Sequence, residues 1–291
     1  MARLKLVVTG DMEAQALVGS LQSQFPDHRG GDDVIWDKAR KMNCTTSHRL
    51  RRDSNTPSKP MLNLARAMLA EVLDGKNGTP ADLVVVIDDV ELDNLGQEEV
   101  IAEHFRLAVS VELEKKASSA GTLERYKKIV RERCSFHVLR PMVESYFFAD
   151  VQALQRLGVI ATPLLRHATD VEDFEVIDDN WLPECRAHNL LQLGRGFPWW
   201  RHERHPKRYI DHLLARNKSS AYDETLQGVQ ALKILEWEKV PKVATDVAFV
   251  RALFEDLADW FEVPSPIPGN KSSKFYPDTN ARRDSLLLRN L

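Results

Sequence analysis

The chain has 291 residues, of which 43% are hydrophobic and 29% charged, with a formal net charge of −3. That length allows one substantial core, or a core plus a smaller lobe, and the near-neutral charge excludes a whole-molecule field that would drive the protein onto nucleic acid. The cysteines, Cys44, Cys134 and Cys185, are odd in number and too few for a disulfide framework, and no apolar run approaches the roughly 20 residues that span a bilayer. The first residues lack a signal-peptide pattern, so the expected location is the cytoplasm, with no membrane partner.

Leu4 to Thr9 is an apolar run that predicts a buried strand, closed by Gly10. Ala14, Leu17, Val18, Leu21 and Phe25 follow at helical spacing, placing a helix from about Asp11. Asp33 to Asp37 predicts a short second strand. Residues 38–59 are polar, carry seven Lys/Arg against one Asp, and read as an exposed loop. Met61, Leu64, Ala65, Met68, Leu69 and Val72 share one helical face. Leu83 to Ile87 is apolar on both faces, as a central parallel strand should be. A helix is expected from Glu98 to about Lys115, another over 122–133, and a strand over Ser135 to Leu139. After Arg140-Pro141 a helix is expected with Val143, Phe147, Val151 and Leu154 inward and Gly158 at its end. Residues 170–184 hold seven acidic residues and no Lys/Arg, which predicts a solvated connector. Beyond it the pattern is helical, at Pro206 to Leu213, around Leu226 to Leu232, and at Val250 to Phe261 with Thr245 as the cap.

The alternation of strands and helices predicts an α/β fold, a mostly parallel, Rossmann-like sheet flanked by helices, with a C-terminal helical part. The expected units are an α/β core over 1–160, a mainly helical lobe over 161–263 and a flexible tail over 264–291.

In such a sheet, ligands bind beyond the C-terminal ends of the strands. Two strand ends are acidic here: Asp11 and Glu13 follow the first, and Asp88, Asp89 and Glu91 follow the third. Carboxylates from adjacent strand ends can hold Mg²⁺ or Mn²⁺, which take hard oxygen ligands and can activate a water against a phosphoryl group. Acidic residues after strands also serve as caps and turn formers. Glu144, in the first turn after a strand, suits either a metal shell or the helix dipole.

The strand, Gly turn, helix with early Glu13 and later acidic strand end resemble the TOPRIM fold of topoisomerases, primases and OLD-type nucleases. The segment Arg140 to Asp150 (Arg-Pro-Met-Val-Glu-Ser-Tyr-Phe-Phe-Ala-Asp) is similar to a TOPRIM-like family of bacterial anti-phage, abortive-infection operons. His205 to Tyr209, with Tyr222 and Thr225, is similar to that family's helical part. The resemblance implies a metal-dependent nuclease paired with an AAA/ABC-type ATPase, with Asp88, Asp89 and Glu91 on metal, Glu13 in proton transfer and Glu144 supporting. Where TOPRIM enzymes carry a Glu at the end of the first strand, this chain has Thr9. That departure favours an alternative, a catalytically degenerate binding or regulatory subunit. A weaker alternative is a phosphohydrolase of small nucleotides.

Two basic segments are candidates for nucleic-acid contact. One holds Arg49, Arg51 and Arg52. The other holds Arg201, Arg204, Lys207 and Arg208 beside Trp199 and Trp200, whose rings could stack on unpaired bases. Cys185-x-x-His188 and His202-x-x-His205 have spacing that zinc could use. No phosphate-binding G-x-x-x-x-G-K-[ST] loop is present, so ATP use would fall to a partner.

Overall fold

The structure is a computed structural model that describes residues 1–75, 78–217, 219–240, 247–267 and 286–291. Its centre is one five-stranded sheet of β1 (Ala2–Val8), β2 (His28–Arg29), β3 (Asp32–Lys41), β4 (Leu83–Asp89) and β5 (Cys134–Leu139), in the order β2-β3-β1-β4-β5. β1 pairs in parallel with β3 and β4, and β4 with β5. Only the two-residue β2 runs antiparallel, against β3. The four long strands therefore end on one edge of the sheet. The fold is α/β with a mostly parallel sheet flanked by helices, as the alternation predicts.

All seven residues of β4 are buried, which fits a strand covered on both faces. Side-chain alternation then divides the core. Leu4, Leu6 and Val8 of β1, with Leu83, Val85 and Ile87 of β4, face α1 (Asp11–Gln22). Val7, Val84 and Val86 face α2 (Lys59–Leu69), α3 (Glu98–Lys116) and α4 (Ala120–Arg133).

The C-terminal helices share the α1 side. α5 (Val151–Leu157), α7 (Pro206–Arg216), α8 (Val229–Ile234) and α9 (Ala248–Phe261) contribute Leu154, Tyr209, Leu232 and Phe254 to the same cluster as α1 and β1. α6 (Leu182–Gly194) joins that cluster through Cys185 alone, its single buried residue. Helices after residue 161 thus complete the layer over the sheet with one shared core. The expected helix after Pro141 is two pieces, a 3-10 turn over Val143–Ala149 and α5, divided at Asp150, which caps α5 through the Gln152 N–H at 3.0 Å.

Two polar segments are more ordered than their composition predicts. β3 runs on to Lys41, and Thr45 and Thr46 beyond it are buried. The acid-rich stretch 170–184 is not a solvated connector: Val171, Phe174, Val176, Asp178 and Trp181 are all buried. Its acids are tolerated inside because each meets donors. Asp178 accepts from Tyr209 at 3.2 Å and Arg216 at 3.0 Å. Glu172 accepts from the Tyr146 hydroxyl at 2.8 Å and from the backbone N–H groups of Phe249 and Val250 at 3.0 and 2.8 Å. A carboxylate from a distant loop therefore satisfies the first turn of α9. Thr245, the cap expected from sequence, lies outside the described residues, as does most of the expected tail. Residues 286–291 are described, and Asn290 bonds both the N–H and the C=O of Phe136, at 3.1 and 2.7 Å, extending the sheet edge as a strand would. Among the described residues no helix is long and apolar enough to cross a membrane.

Replacing Glu172 with Ala orphans the α9 donors and the Tyr146 hydroxyl. We expect a loss of roughly 3 kcal/mol, read as a shifted urea-unfolding midpoint at unchanged slope. A shift near zero would show that Glu172 does not hold α9.

Candidate active site

The edge where the four parallel strands end is also where acidic side chains gather. β1 passes through Thr9 and Gly10 into α1, whose first turn carries Glu13. β4 ends on Asp88 and Asp89 and continues to Glu91. The 3-10 turn after β5 carries Glu144. All five carboxylates predicted for a site therefore meet at one edge. Gly10 lies directly under the Glu13 carboxyl, and a Cβ there would push that carboxyl aside. Glu91 has φ of 60° and ψ of 157°, an extended positive-φ conformation rare for a non-glycine residue. Its N–H is held by the Pro141 carbonyl at 2.8 Å.

The carboxylates are not equivalent. Asp88 accepts from the hydroxyls of Thr9 and Thr45, and from the N–H groups of Thr45 at 3.3 Å and Asp89 at 3.0 Å. Four donors make it a knot between β1, β4 and the loop after β3. Glu13, Asp89 and Glu144 differ: each keeps one buried oxygen with no hydrogen-bond partner among the described residues. Buried polar atoms are seldom left unpaired, so these three mark a place with fewer positive and donating groups than carboxylate oxygens.

Electrostatics says the same. Burial, then Glu144, pushes Glu13 up to about 8. Burial, then Glu13 and Glu91, raises Asp89 well above the usual carboxylate range. Burial raises Glu91 to about 7, against the pull of Lys207. Glu144 is likewise raised by burial and lowered in part by Lys207.

Lys207, in the first turn of α7, is the cation of this cluster. Its Nζ lies 3.4 Å from Glu144 and 2.8 Å from Glu224. Burial would lower its pKa, but Glu144 and Glu224 hold it raised. Sequence reasoning placed Lys207 among residues contacting nucleic acid; the structure places it against carboxylates. Tyr222 completes the wall, donating to Glu144 at 3.2 Å, and Gly228 must lack a side chain because a Cβ would meet the Tyr222 hydroxyl and Met12. Lys207, Glu224 and Gly228 reach the site from helical segments more than 60 residues beyond Glu144, a separation that leaves no local signal of their role.

The donor chemistry fits a hard divalent cation, as oxygens only, several unpaired, in a negative pocket. The convergence is incomplete, since among the described residues no three His, Cys, Asp or Glu side chains are close enough together to hold a metal ion as they stand. The ammonium of Lys207 stands between Glu144 and Glu224 instead.

The two basic segments come together beside this cluster. Arg49 stacks over the Trp199 ring at 4.7 Å and donates to the Asp93 carbonyl at 3.1 Å. Arg52 donates to the Gly96 carbonyl at 3.4 Å. Arg49, Arg51, Arg52, Phe197 and Trp199 line a cavity of ≈ 560 Å³. A second cavity, of ≈ 480 Å³, lies across Trp199 and is lined by Arg140, Arg201 and Arg204. There Arg204 is neutralised by Glu175 at 3.0 Å and Arg140 by Glu98 at 2.8 Å. Arg208 is exposed and faces Asp211 at 3.4 Å.

His188, His202 and His205 also gather, with ring centroids 4.2 Å apart for the first pair and 6.0 Å for the second. They form an aromatic stack with Trp181 and Trp200. Burial lowers His202 to about 4 and His205 to about 3, so both rings are neutral near pH 7. No protein-family model, curated protein or solved structure matches the chain.

The raised carboxylates have a linked consequence. From about pH 4.5 to about 8, the folded chain holds protons on Glu13 and Glu91 that the unfolded chain has released. Stability in metal-free buffer should therefore fall as pH rises through that window. Glu13→Gln should flatten the fall, measured as melting temperature against pH in EDTA. An unchanged slope in the variant would show that Glu13 does not titrate in this way.

Proposed function

We propose that this protein is a TOPRIM-like, divalent-metal-dependent nuclease whose site is the carboxylate cluster at the ends of β1, β4 and β5. The observation that carries this reading is the set of three buried, unpaired oxygens on Glu13, Asp89 and Glu144. Structural carboxylates are normally satisfied, as Asp88 and Glu172 are; carboxylates that wait for an ion are not. Asp89, Glu91 and Glu144 would hold Mg²⁺ or Mn²⁺, with Asp88 bracing Thr9 and Thr45. The ion, when bound, polarises a phosphoryl oxygen and lowers the pKa of a water.

Glu13 suits proton transfer. At about 8, its acidity puts both protonation states within reach near neutral pH. Lys207 must leave Glu144 for a cation to bind there, which ties occupancy of the site to the position of α7. The resemblance of Arg140 to Asp150 supports a role as effector subunit in a bacterial anti-phage system. An AAA/ABC-type ATPase partner would then control that movement.

A second reading has its own observation. Thr9 stands where TOPRIM enzymes carry Glu and bonds Asp88, while Lys207 already neutralises Glu144. On this reading Lys207 is a permanent counter-ion, and the chain is a non-catalytic binding or regulatory subunit.

Mn²⁺ titration by calorimetry and cleavage of plasmid DNA and total RNA, alone and with the product of the neighbouring gene, separate the two. The nuclease reading expects Mn²⁺ binding that Asp89→Asn abolishes, and cleavage that Glu13→Gln slows about 100-fold or more. Folded wild-type protein that neither binds Mn²⁺ nor cuts in any combination overturns the nuclease reading and leaves the second.

A further inference from the structure

The cavity beside Trp199 has features that the carboxylate cluster does not use. Its polar wall is the 48–52 loop, which is stapled to the turn after β4: Asn94 donates to the Thr46 and His48 carbonyls at 2.8 and 3.1 Å and accepts from the Leu50 N–H at 2.9 Å. Gln97 adds a bond to the Leu50 carbonyl at 3.0 Å. The arginines of this loop are therefore carried on a fixed backbone rather than on a free surface strand.

Their charges are only partly answered. Arg49 and Arg52 meet backbone carbonyls, and Arg51 has no side-chain partner among the described residues. Asp53 and Asp93 also line the cavity, but its three arginines outnumber these two acids, so guanidinium N–H groups of Arg51 and Arg52 remain for an anion. The opposite wall is apolar and flat-faced. Phe197 stands edge-on to Trp199 at 5.5 Å and is 42% exposed, while Arg49 lies as a third planar group on the indole. An exposed phenyl ring set edge-on to an indole that Arg49 covers, next to arginines without acidic partners, fits a ligand with a planar π-face at one end and an anion at the other.

We propose that this cavity seats one unpaired nucleotide, with its base stacked on the exposed Phe197 ring beside Trp199 and its phosphate on Arg51 and Arg52. A volume of ≈ 560 Å³ accommodates one nucleotide, and a base within a duplex has its faces already covered by its neighbours and so has none to offer Phe197. Stacking reads any base, because each has a π-face, so the seat discriminates by strandedness and not by sequence. Binding here needs no metal and no cleavage, so it stands or falls separately from the nuclease reading.

The test uses the full chain in EDTA. A fluorescein-labelled 12-mer of thymidylate, an unlabelled duplex of the same length and thymidine monophosphate are compared by polarisation and by tryptophan fluorescence. Single strands should bind, with tryptophan quenching, at least tenfold more tightly than the duplex. Phe197→Leu and Arg51→Ala, both at exposed positions, should each weaken binding by about fivefold or more. Arg51→Ala should also lower the salt slope by about 0.7. Monophosphate that competes as strongly as the 12-mer would assign the seat to free nucleotides, and a much weaker monophosphate assigns it to single strands. Equal binding of the duplex, binding unaffected by both variants, or no binding at all would overturn the proposal.

Discussion

Like charges confined in a small, dry space are the constraint around which this molecule is arranged. Four parallel strands end on one edge, and three of those ends, or the turns after them, deliver carboxylates to one region. Each acid there raises the others, and burial raises them all. Such a cluster is stable only if protons, an internal cation or an external one offset the repulsion. Lys207 supplies part of that offset, and the high pKa values of Glu13 and Glu91 supply another part. The unpaired oxygens of Glu13, Asp89 and Glu144 are the remainder.

The C-terminal helices follow from this need as well as from apolar burial. They share a core with α1, and that packing brings Lys207, Tyr222 and Glu224 over the strand ends. Gly10 and Gly228 mark two close approaches at this edge, one under the Glu13 carboxyl and one under the Tyr222 hydroxyl. The acid-rich 170–184 stretch does comparable work at a distance. Glu172 fixes the start of α9, and Asp178 ties Tyr209 and Arg216 of α7. A small shift of α7 would thus be felt at Lys207, in the Asp178 bonds and in the aromatic stack around Trp181.

Beside the negative cluster lies a positive, aromatic cavity built from two segments that are 150 residues apart in places, as Arg49 and Trp199 are. Opposite charge on adjacent surfaces gives a phosphate-bearing ligand a direction, toward the arginines and past the carboxylates. Only a cation at the carboxylates would let a phosphate approach them closely. The two features therefore fit one chemistry, while each can be examined without the other.

Much of the sheet was legible in the sequence because its causes are local. A run such as Leu83 to Ile87 can be satisfied only between two helical layers, and the acids after it must then fall at the strand end. The placement of Asp88, Asp89 and Glu91 was legible for that reason, and that of Glu13 and Glu144 from the strands before them. Which of them is satisfied was not. Thr9 and Thr45 saturate Asp88, and the second of these lies in a loop that composition alone assigns to solvent. Residues 170–184 misled for the same reason, since charge predicts exposure only until a buried partner is found. The basic segments were visible as charge, but local sequence could not separate Lys207, which turns inward to Glu144, from Arg208, which stays in water. Local pattern settles where the chain must be strand or helix and which chemical groups stand at its turns. Partnership between distant groups decides which of those groups are neutralised, which are left unpaired and which meet across the fold, and the packing of the helical layer onto the sheet fixes that partnership.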